Sequence, residues 1–226
     1  MSSGTIVYPE LVVGEAPVRV EPLDRQRAIQ LGSQILHLIV ATYAPQLEGP
    51  NGPLPEGSFA DRYSPDRPEA LERGQQEVIP PIFTQGGGYS AIFAGSSLVA
   101  YLKARSRIIV PEDHRERRFN GMAEIGEILT HPEYQGRGLG AALLHAYFRH
   151  QNVSPAARVM LEAFEDSAKI NEWYVRLGFE PEESADAFKL GNLPMRYYVT
   201  PERVSVQAII RRLEEQRPEL RSGISI

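Results

Sequence analysis

The residues best suited to chemistry in this chain are Gly136, Gly138 and Gly140, in the run Gln135-Gly136-Arg137-Gly138-Leu139-Gly140-Ala141. Glycines placed where a helix begins let backbone N–H groups approach an anion closely, and the helix's unpaired N–H groups and dipole favour negative charge there. Arg137 adds a positive side chain, so the segment reads as a phosphate-binding turn. Gly136-x-Gly138-x-x-Ala141 also satisfies the dinucleotide fingerprint, with Glu162 near the spacing of a ribose-binding acid. Two features oppose a dinucleotide fold: His131 to Gln135 separate the turn from its strand, and too little chain follows Phe164 for several βαβ units. A P-loop is excluded, because no Gly-Lys-Ser/Thr follows. His37, His114, His131, His145 and His150 show no pairing with acidic residues at metal-ligand spacing, and no nucleophile elbow supports a Ser-His-Asp triad. No metal is expected.

The turn needs a strand before it and a helix after it. Leu139, Ala142, Leu143, Ala146 and Tyr147 form one apolar helical stripe. Ile125, Ile128 and Leu129 mark the strand, and Gly126 inside it reads as a bulge that would open a notch. Earlier in the chain, Val18–Leu23 reads as a first strand and Asp24 as an N-cap. A helix through Ala28, Leu31, Ile35, Leu38, Ile39 and Thr42 is expected to end near Ala44, closed by Pro45. The Pro/Gly-rich segment 45–68 reads as a surface loop or a substrate-site lid. A short helix is expected over Glu69–Val78. Tyr89–Ala94 and Leu98–Ile109 read as antiparallel strands joined at Gly95-Ser96, followed by a solvated hairpin tip at His114–Arg118.

No helical pattern separates these strands, which also opposes a doubly wound fold. Beyond the central helix, Arg158–Phe164 reads as a strand. Ile170, Trp173, Tyr174 and Leu177 form a helix with Asp166 or Ser167 as cap and Gly178 as its left-handed stop. Met195–Val199 supplies a last strand, and Thr200-Pro201 opens a terminal helix over 201–217. Its Val204, Ile209, Ile210 and Leu213 require cover from the same chain or from a dimer partner.

The chain has 226 residues, 42% of them hydrophobic and 23% charged, which fits one globular domain whose residues 1–85 form an N-terminal elaboration. A net charge of −5 argues against nucleic acid as a partner. The absence of cysteine excludes disulfides and an acyl-cysteine intermediate. No basic region precedes an apolar core at the N-terminus, so no secretory signal is expected. The longest apolar run, Ile35–Ala41, is far below the roughly 20 residues that span a bilayer. No membrane partner and a cytoplasmic location are therefore expected.

Gln135-x-x-Gly138-x-Gly140 on a strand–loop–helix resembles the Gln/Arg-x-x-Gly-x-Gly/Ala signature of the GNAT superfamily of N-acetyltransferases. The surrounding THPEYQGRGLGAALL looks like the family's coenzyme A segment, and Trp173–Phe179 resembles its helix with a tyrosine four residues before Gly-Phe. The two motifs stand in family order, and the resemblance covers roughly Tyr89 to Val199. It implies an α/β fold, a GNAT-like mixed, mostly antiparallel sheet flanked by helices on both faces. It also implies acetyl-CoA (coenzyme A) as cofactor and direct transfer of acetyl to a primary amine in a ternary complex. The acceptor would be a small-molecule amine or a protein amino group.

On that resemblance, Gln135, Gly136, Arg137, Gly138, Leu139, Gly140 and Ala141 hold the diphosphate, and the backbone of Leu129 and Thr130 holds the acyl carbonyl and pantetheine arm. Ser167 stands where the family often has an asparagine touching that arm. An amine with a pKa near ~10.4 is protonated at neutral pH and needs a base. Glu124, eleven residues before Gln135, matches the glutamate of histone-acetylating members. Glu127 is the second choice, since a bulge at Gly126 changes which side chains face the cleft. Tyr174 matches the family tyrosine that protonates the leaving thiolate. The alternatives are a non-catalytic acyl-CoA-binding module and a nicotinamide-dependent oxidoreductase, which would bind a dinucleotide and no coenzyme A.

Overall fold

The computed structural model describes residues 4–48, 68–69, 72, 87–108, 119–150, 153–155, 157–165, 167–182, 188–190 and 193–226. Among them the strands are β1 (Ile6–Val13), β2 (Ala16–Leu23), β3 (Gly87–Ala94), β4 (Ser97–Arg105), β5 (Ala123–Thr130), β6 (Val159–Phe164), β7 (Glu180–Pro181), β8 (Phe188–Leu190), β9 (Leu193–Val199) and β10 (Ile224–Ser225). The helices are α1 (Arg25–Gln30), α2 (Gly32–Glu48), α3 (Leu139–His150), α4 (Ala168–Leu177) and α5 (Val206–Gln216). One sheet runs in the order β10-β1-β2-β3-β4-β5-β6-β9-β7, with β8 paired to β9. Only β5 and β6 are parallel; the other pairs are antiparallel. That is the mixed, mostly antiparallel sheet expected, and a doubly wound dinucleotide fold is absent.

The alternation of side chains along each strand divides the core in two. On one face Leu102, Ala104, Ile125, Val159 and Leu161 pack with the apolar stripe of α3 and with Ile209 and Leu213 of α5. On the other, Tyr89, Ala91, Tyr101 and Leu129 pack under Leu31, between α1 and α2, and under Ile35, Leu36 and Ile39 of α2. The terminal helix is thus covered by its own chain. It begins later than Thr200-Pro201 led one to expect, because the Ser205 hydroxyl caps it by accepting from Ala208 N–H at 3.2 Å.

Two boundaries differ from the sequence reading. Strand β1 was not foreseen: its buried residues Ile6, Tyr8, Leu11 and Val13 lose their period at a register shift between Tyr8 and Val12, so no run of strict alternation marks it. Helix α2 continues past Pro45 to Glu48, since one missing N–H weakens a helix without having to end it there. Residues 49–67 of the 45–68 segment, most of the expected helix Glu69–Val78, the tip His114–Arg118, Asp166 and most of the 184–192 loop lie outside the described residues. Among the described residues no helix is long and apolar enough to cross a membrane.

Candidate active site

The sheet forks at its centre. The parallel ladder of β5 and β6 holds only Ala123↔Val159, Glu124↔Met160 and Ile125↔Leu161. Beyond it β5 stays with β4 and β6 with β9, so an edge of β5 from Gly126 onward has no β6 partner. Gly126 is a bulge: Lys103 faces Glu127 and Ala104 faces Ile125, leaving Gly126 unmatched. Asn171 of α4 holds the departing end of β6, its Nδ2 donating to the carbonyls of Phe164 and Glu165 at 3.0 Å each. A cavity of about 330 Å3 fills the fork, lined in part by Gly126, Glu127, Leu129, Glu162, Ser167 and Tyr174.

The bulge turns Glu127 to the face on which this cavity opens, beyond the end of the β5–β6 ladder that holds Glu124. In an unbroken strand Glu124 and Glu127, three apart, would point to opposite faces. The extra residue puts Glu127 opposite Lys103 on the α2 face, together with Leu129 and Tyr101. The Tyr101 hydroxyl donates to Glu127 Oε2, and the Tyr43 hydroxyl of α2 donates to the same carboxylate. Burial first, then the Glu127 charge, pushes both phenols well above the ordinary tyrosine range. They therefore remain donors throughout the physiological range.

Glu124, expected as the base, does not line the cavity. Its carboxylate forms an ion pair with Arg105 across β4 and β5, at 2.5 Å to Nε and 3.2 Å to Nη2. The Arg105 backbone is anchored as well, its carbonyl accepting from the Tyr147 hydroxyl at 2.8 Å. Glu124 thus lies ion-paired at the closed end of the fork, below the point where the strands part.

Tyr174 reaches the cavity from α4 and is buried at 7% exposure, its ring tilted or edge-on against those of Trp173, Phe179 and Tyr198. Burial alone pushes its phenol well up, so it stays protonated. Helix α4 ends one turn later as the sequence implied. Gly178 adopts φ 99°, and Phe179 N–H bonds back to the Tyr174 carbonyl at 3.1 Å. Ser167 occupies the N-cap position of α4 without making a capping bond and lines the cavity instead.

The glycine turn lies between β5 and α3. Gly136 and Gly138 have φ of 75° and 85°, which strongly favours glycine. Gly140 is different: a Cβ there would meet Ile128 at an ordinary 3.6 Å, so packing within the chain does not demand glycine. The first helical bond runs from Ala142 N–H to the Gly138 carbonyl at 3.0 Å, which leaves the N–H groups of Leu139, Gly140 and Ala141 without helical partners. A bare Cα beside three such donors fits a diphosphate that approaches the backbone closely.

The side chains around the turn divide their tasks. Leu139 and Ala141 are buried, so they offer backbone only. Gln135 braces the loop, donating through Nε2 to the Thr130 carbonyl at 3.1 Å. Arg137 lies exposed, 5.3 Å over the Tyr134 ring. Arg217, just after α5, donates to the Gly136 carbonyl at 3.0 Å and comes within 3.1 Å of where a Gly138 Cβ would be. No sequence pattern links it to a turn 81 positions earlier. Tyr43 carried a weak signal, continuing the Leu36, Ile39 stripe at helical spacing. Among the histidines, His145 is buried, bonded to Tyr8 Oη at 2.9 Å and Glu214 Oε1 at 3.0 Å, and ties β1, α3 and α5 together.

The forked sheet and the glycine turn at the head of the following helix fall within residues 94–181, which match the model of the acetyltransferase (GNAT) domain. That segment carries the sequence pattern of a GNAT acetyltransferase domain. Solved structures share the fold at low identity. A protein of Pyrococcus horikoshii is 11% identical, with 83% of this chain and 99% of that one covered and a TM-score of 0.55. An acetyltransferase of the GNAT family from Staphylococcus aureus is 13% identical, with 81% and 98% covered and a TM-score of 0.52. Histone acetyltransferase HPA2 and related acetyltransferase from Corynebacterium glutamicum is 16% identical, with 80% and 94% covered and a TM-score of 0.52. No curated protein matches the chain in sequence.

Proposed function

We propose that this chain is an N-acetyltransferase that moves the acetyl group of acetyl-CoA to a primary amine by direct attack, with Glu127 as base and Tyr174 as acid. The observation that carries this reading is the placement of both side chains on one cavity at the fork of β5 and β6. Bound acetyl-CoA would supply an activated thioester. The glycine turn would hold its diphosphate through the N–H groups of Leu139, Gly140 and Ala141. The unpaired edge of β5 near Leu129 and Thr130 would align the acyl arm, with the Ser167 hydroxyl available to one of its amides.

An amine arriving as its ammonium gives a proton to the Glu127 carboxylate, which Tyr43 and Tyr101 fix by donating to it. Tyr174 keeps its proton at neutral pH and can deliver it from Oη to a thiolate that leaves.

Stopped and steady-state assays of thiol release with acetyl-CoA and an amine panel test the reading. Glu127→Gln and Tyr174→Phe should each lower kcat by about a hundredfold or more, the range of general acid–base catalysis. Coenzyme A affinity by calorimetry should stay within about threefold, less than 1 kcal/mol. Affinity for coenzyme A with no turnover of any amine would instead indicate an acyl-CoA-binding module.

A further inference from the structure

We infer that Thr42 selects the acceptor, and that the acceptor is an amine whose apolar body carries one uncharged hydrogen-bonding group, a hydroxyl or an amide, at the end remote from the amine. This rests on the acetyl-transfer reading above and goes on to name the substrate class of that same site. Thr42 lies in the interior of α2. A threonine there has two ordinary resorts for its hydroxyl, the carbonyl three or four residues earlier or the solvent. Thr42 takes neither. Its Oγ1 is buried and has no hydrogen-bond partner among the described residues, the carbonyls of Leu38 and Ile39 included.

The same residue lines the cavity at the fork. A hydroxyl so placed has lost water without replacement, and a ligand group that bonds to it supplies what the folded chain lacks. Among the described residues, four uncharged polar side chains line this cavity: Thr42, Tyr43, Ser167 and Tyr174. The Tyr43 hydroxyl is engaged with the Glu127 carboxylate. Ser167 and Tyr174 come from the α4 side, where the acyl arm and the departing thiolate are placed. Thr42 is left, and it stands on α2, which covers the face of the sheet to which Glu127 is turned.

Tyr43, its neighbour in the helix, spans the gap from α2 to the Glu127 carboxylate, so the Thr42 hydroxyl and the base belong to facing walls of one cavity. An acceptor that gives its proton to Glu127 therefore meets Thr42 with its other end. The body between the two ends is apolar, because Leu36, Ile39, Phe164, Ile170 and Met195 offer no hydrogen bond from their side chains. The far group is neutral, since a charge set beside Ile39 with a lone hydroxyl for partner would be desolvated without compensation. A threonine hydroxyl both donates and accepts, so an alcohol or an amide suits it equally.

The test compares hexylamine with 6-amino-1-hexanol and 6-aminohexanamide, using the full chain and acetyl-CoA. In the wild type, kcat/KM for the better of the two polar amines should exceed that for hexylamine by about tenfold or more, the discrimination expected when an analogue leaves a buried group unpaired. Thr42→Val keeps the shape, removes the hydroxyl and should erase that preference; Thr42→Ser should restore it. Coenzyme A affinity should stay within about threefold in Thr42→Val. Without any ligand, Thr42→Val should melt no lower than the wild type, because it exchanges an unpaired buried hydroxyl for a methyl group. Equal or better use of hexylamine, a preference that survives Thr42→Val, a fall in its coenzyme A affinity or a lower Tm overturns the inference and leaves acetyl transfer standing. Calorimetry with coenzyme A present separates the two readings. Selective binding of a polar amine that Thr42→Val abolishes, without thiol release, supports the role of Thr42 and overturns the transfer reading. Neither binding nor turnover of any of the three amines overturns both.

Discussion

At the scale of single residues, Glu124 and Glu127 show how two like side chains three positions apart acquire different tasks. Glu127 sits among phenols at a cavity wall, whereas Glu124 is locked to Arg105 with both side chains under a fifth exposed, at 15% and 17%. Removing one partner from such a pair leaves a charge desolvated without compensation. Because both groups keep some contact with water, the cost of Glu124→Gln should be about 1–2 kcal/mol, below that of a fully buried pair. For a chain of this size that amounts to a fall in Tm of roughly 2–8 °C. The kcat of Glu124→Gln should stay within about threefold of the wild type, by the scale on which general-base loss costs far more. Thermal melts and steady-state rates on the same sample check both. A Glu124→Gln protein that melts normally but turns over a hundredfold more slowly would return the base to Glu124.

At the scale of elements, the bulge in β5 is the device that makes the site, and it can be tested as such. Gly126 has an ordinary φ, and a Cβ there would meet Glu124 Oε1 at 3.4 Å and the Lys103 carbonyl at 3.5 Å, both tolerable contacts. Gly126→Ala should therefore keep the bulge and most of the activity. Deleting Gly126 removes the extra residue and restores strict alternation while leaving Glu127 opposite Lys103 on the α2 face, so it takes away the bulge's local bend without turning the base. The deletion variant is expected to bind coenzyme A more weakly as well as to turn over more slowly, because the bend that helps part β5 from β6 is lost while the base stays in place. Circular dichroism of both proteins, with Gly126→Ala as the folded reference, separates lost chemistry from lost structure. The glycine in the middle of β5 made this bulge readable from sequence, and the apolar stripe of α3 and the Gly178 stop of α4 were equally plain. The choice between the two glutamates was not readable, because it depends on where β6 parts from β5, which leaves Glu124 inside the ladder and Glu127 beyond it. Strand β1 escaped because its own irregularity broke the period, and Arg217 because contacts between distant segments leave no local pattern.

At the scale of the whole molecule, the buried tyrosines couple stability to alkaline pH. Burial is the leading cause that raises the phenols of Tyr8, Tyr43, Tyr89, Tyr101, Tyr147 and Tyr174 above the ordinary value of 10.0. They are drawn from β1, α2, β3, β4, α3 and α4, so they report on both faces of the sheet. The sign follows from proton counts. Below pH 10 both states hold every phenolic proton, and these groups contribute no slope. Above it the unfolded chain releases protons that the folded chain retains. The unfolded state then binds fewer, and stability must fall as pH rises. Each such phenol adds a slope of up to about 1.4 kcal/mol per pH unit until its own folded pKa is reached. Thermal melts from pH 8 to 11.5 should be nearly flat to about pH 9.5 and then decline steeply, with tyrosinate absorbance appearing together with unfolding rather than before it. Tyr8→Phe removes one contributor, and its melting curve should decline less steeply with pH than the wild type even though its Tm at neutral pH is lower for want of the bond to His145. A Tm that held constant through pH 11, or tyrosinate that formed fully in the folded protein, would mean that water reaches these hydroxyls and that the sheet does not close over them as described.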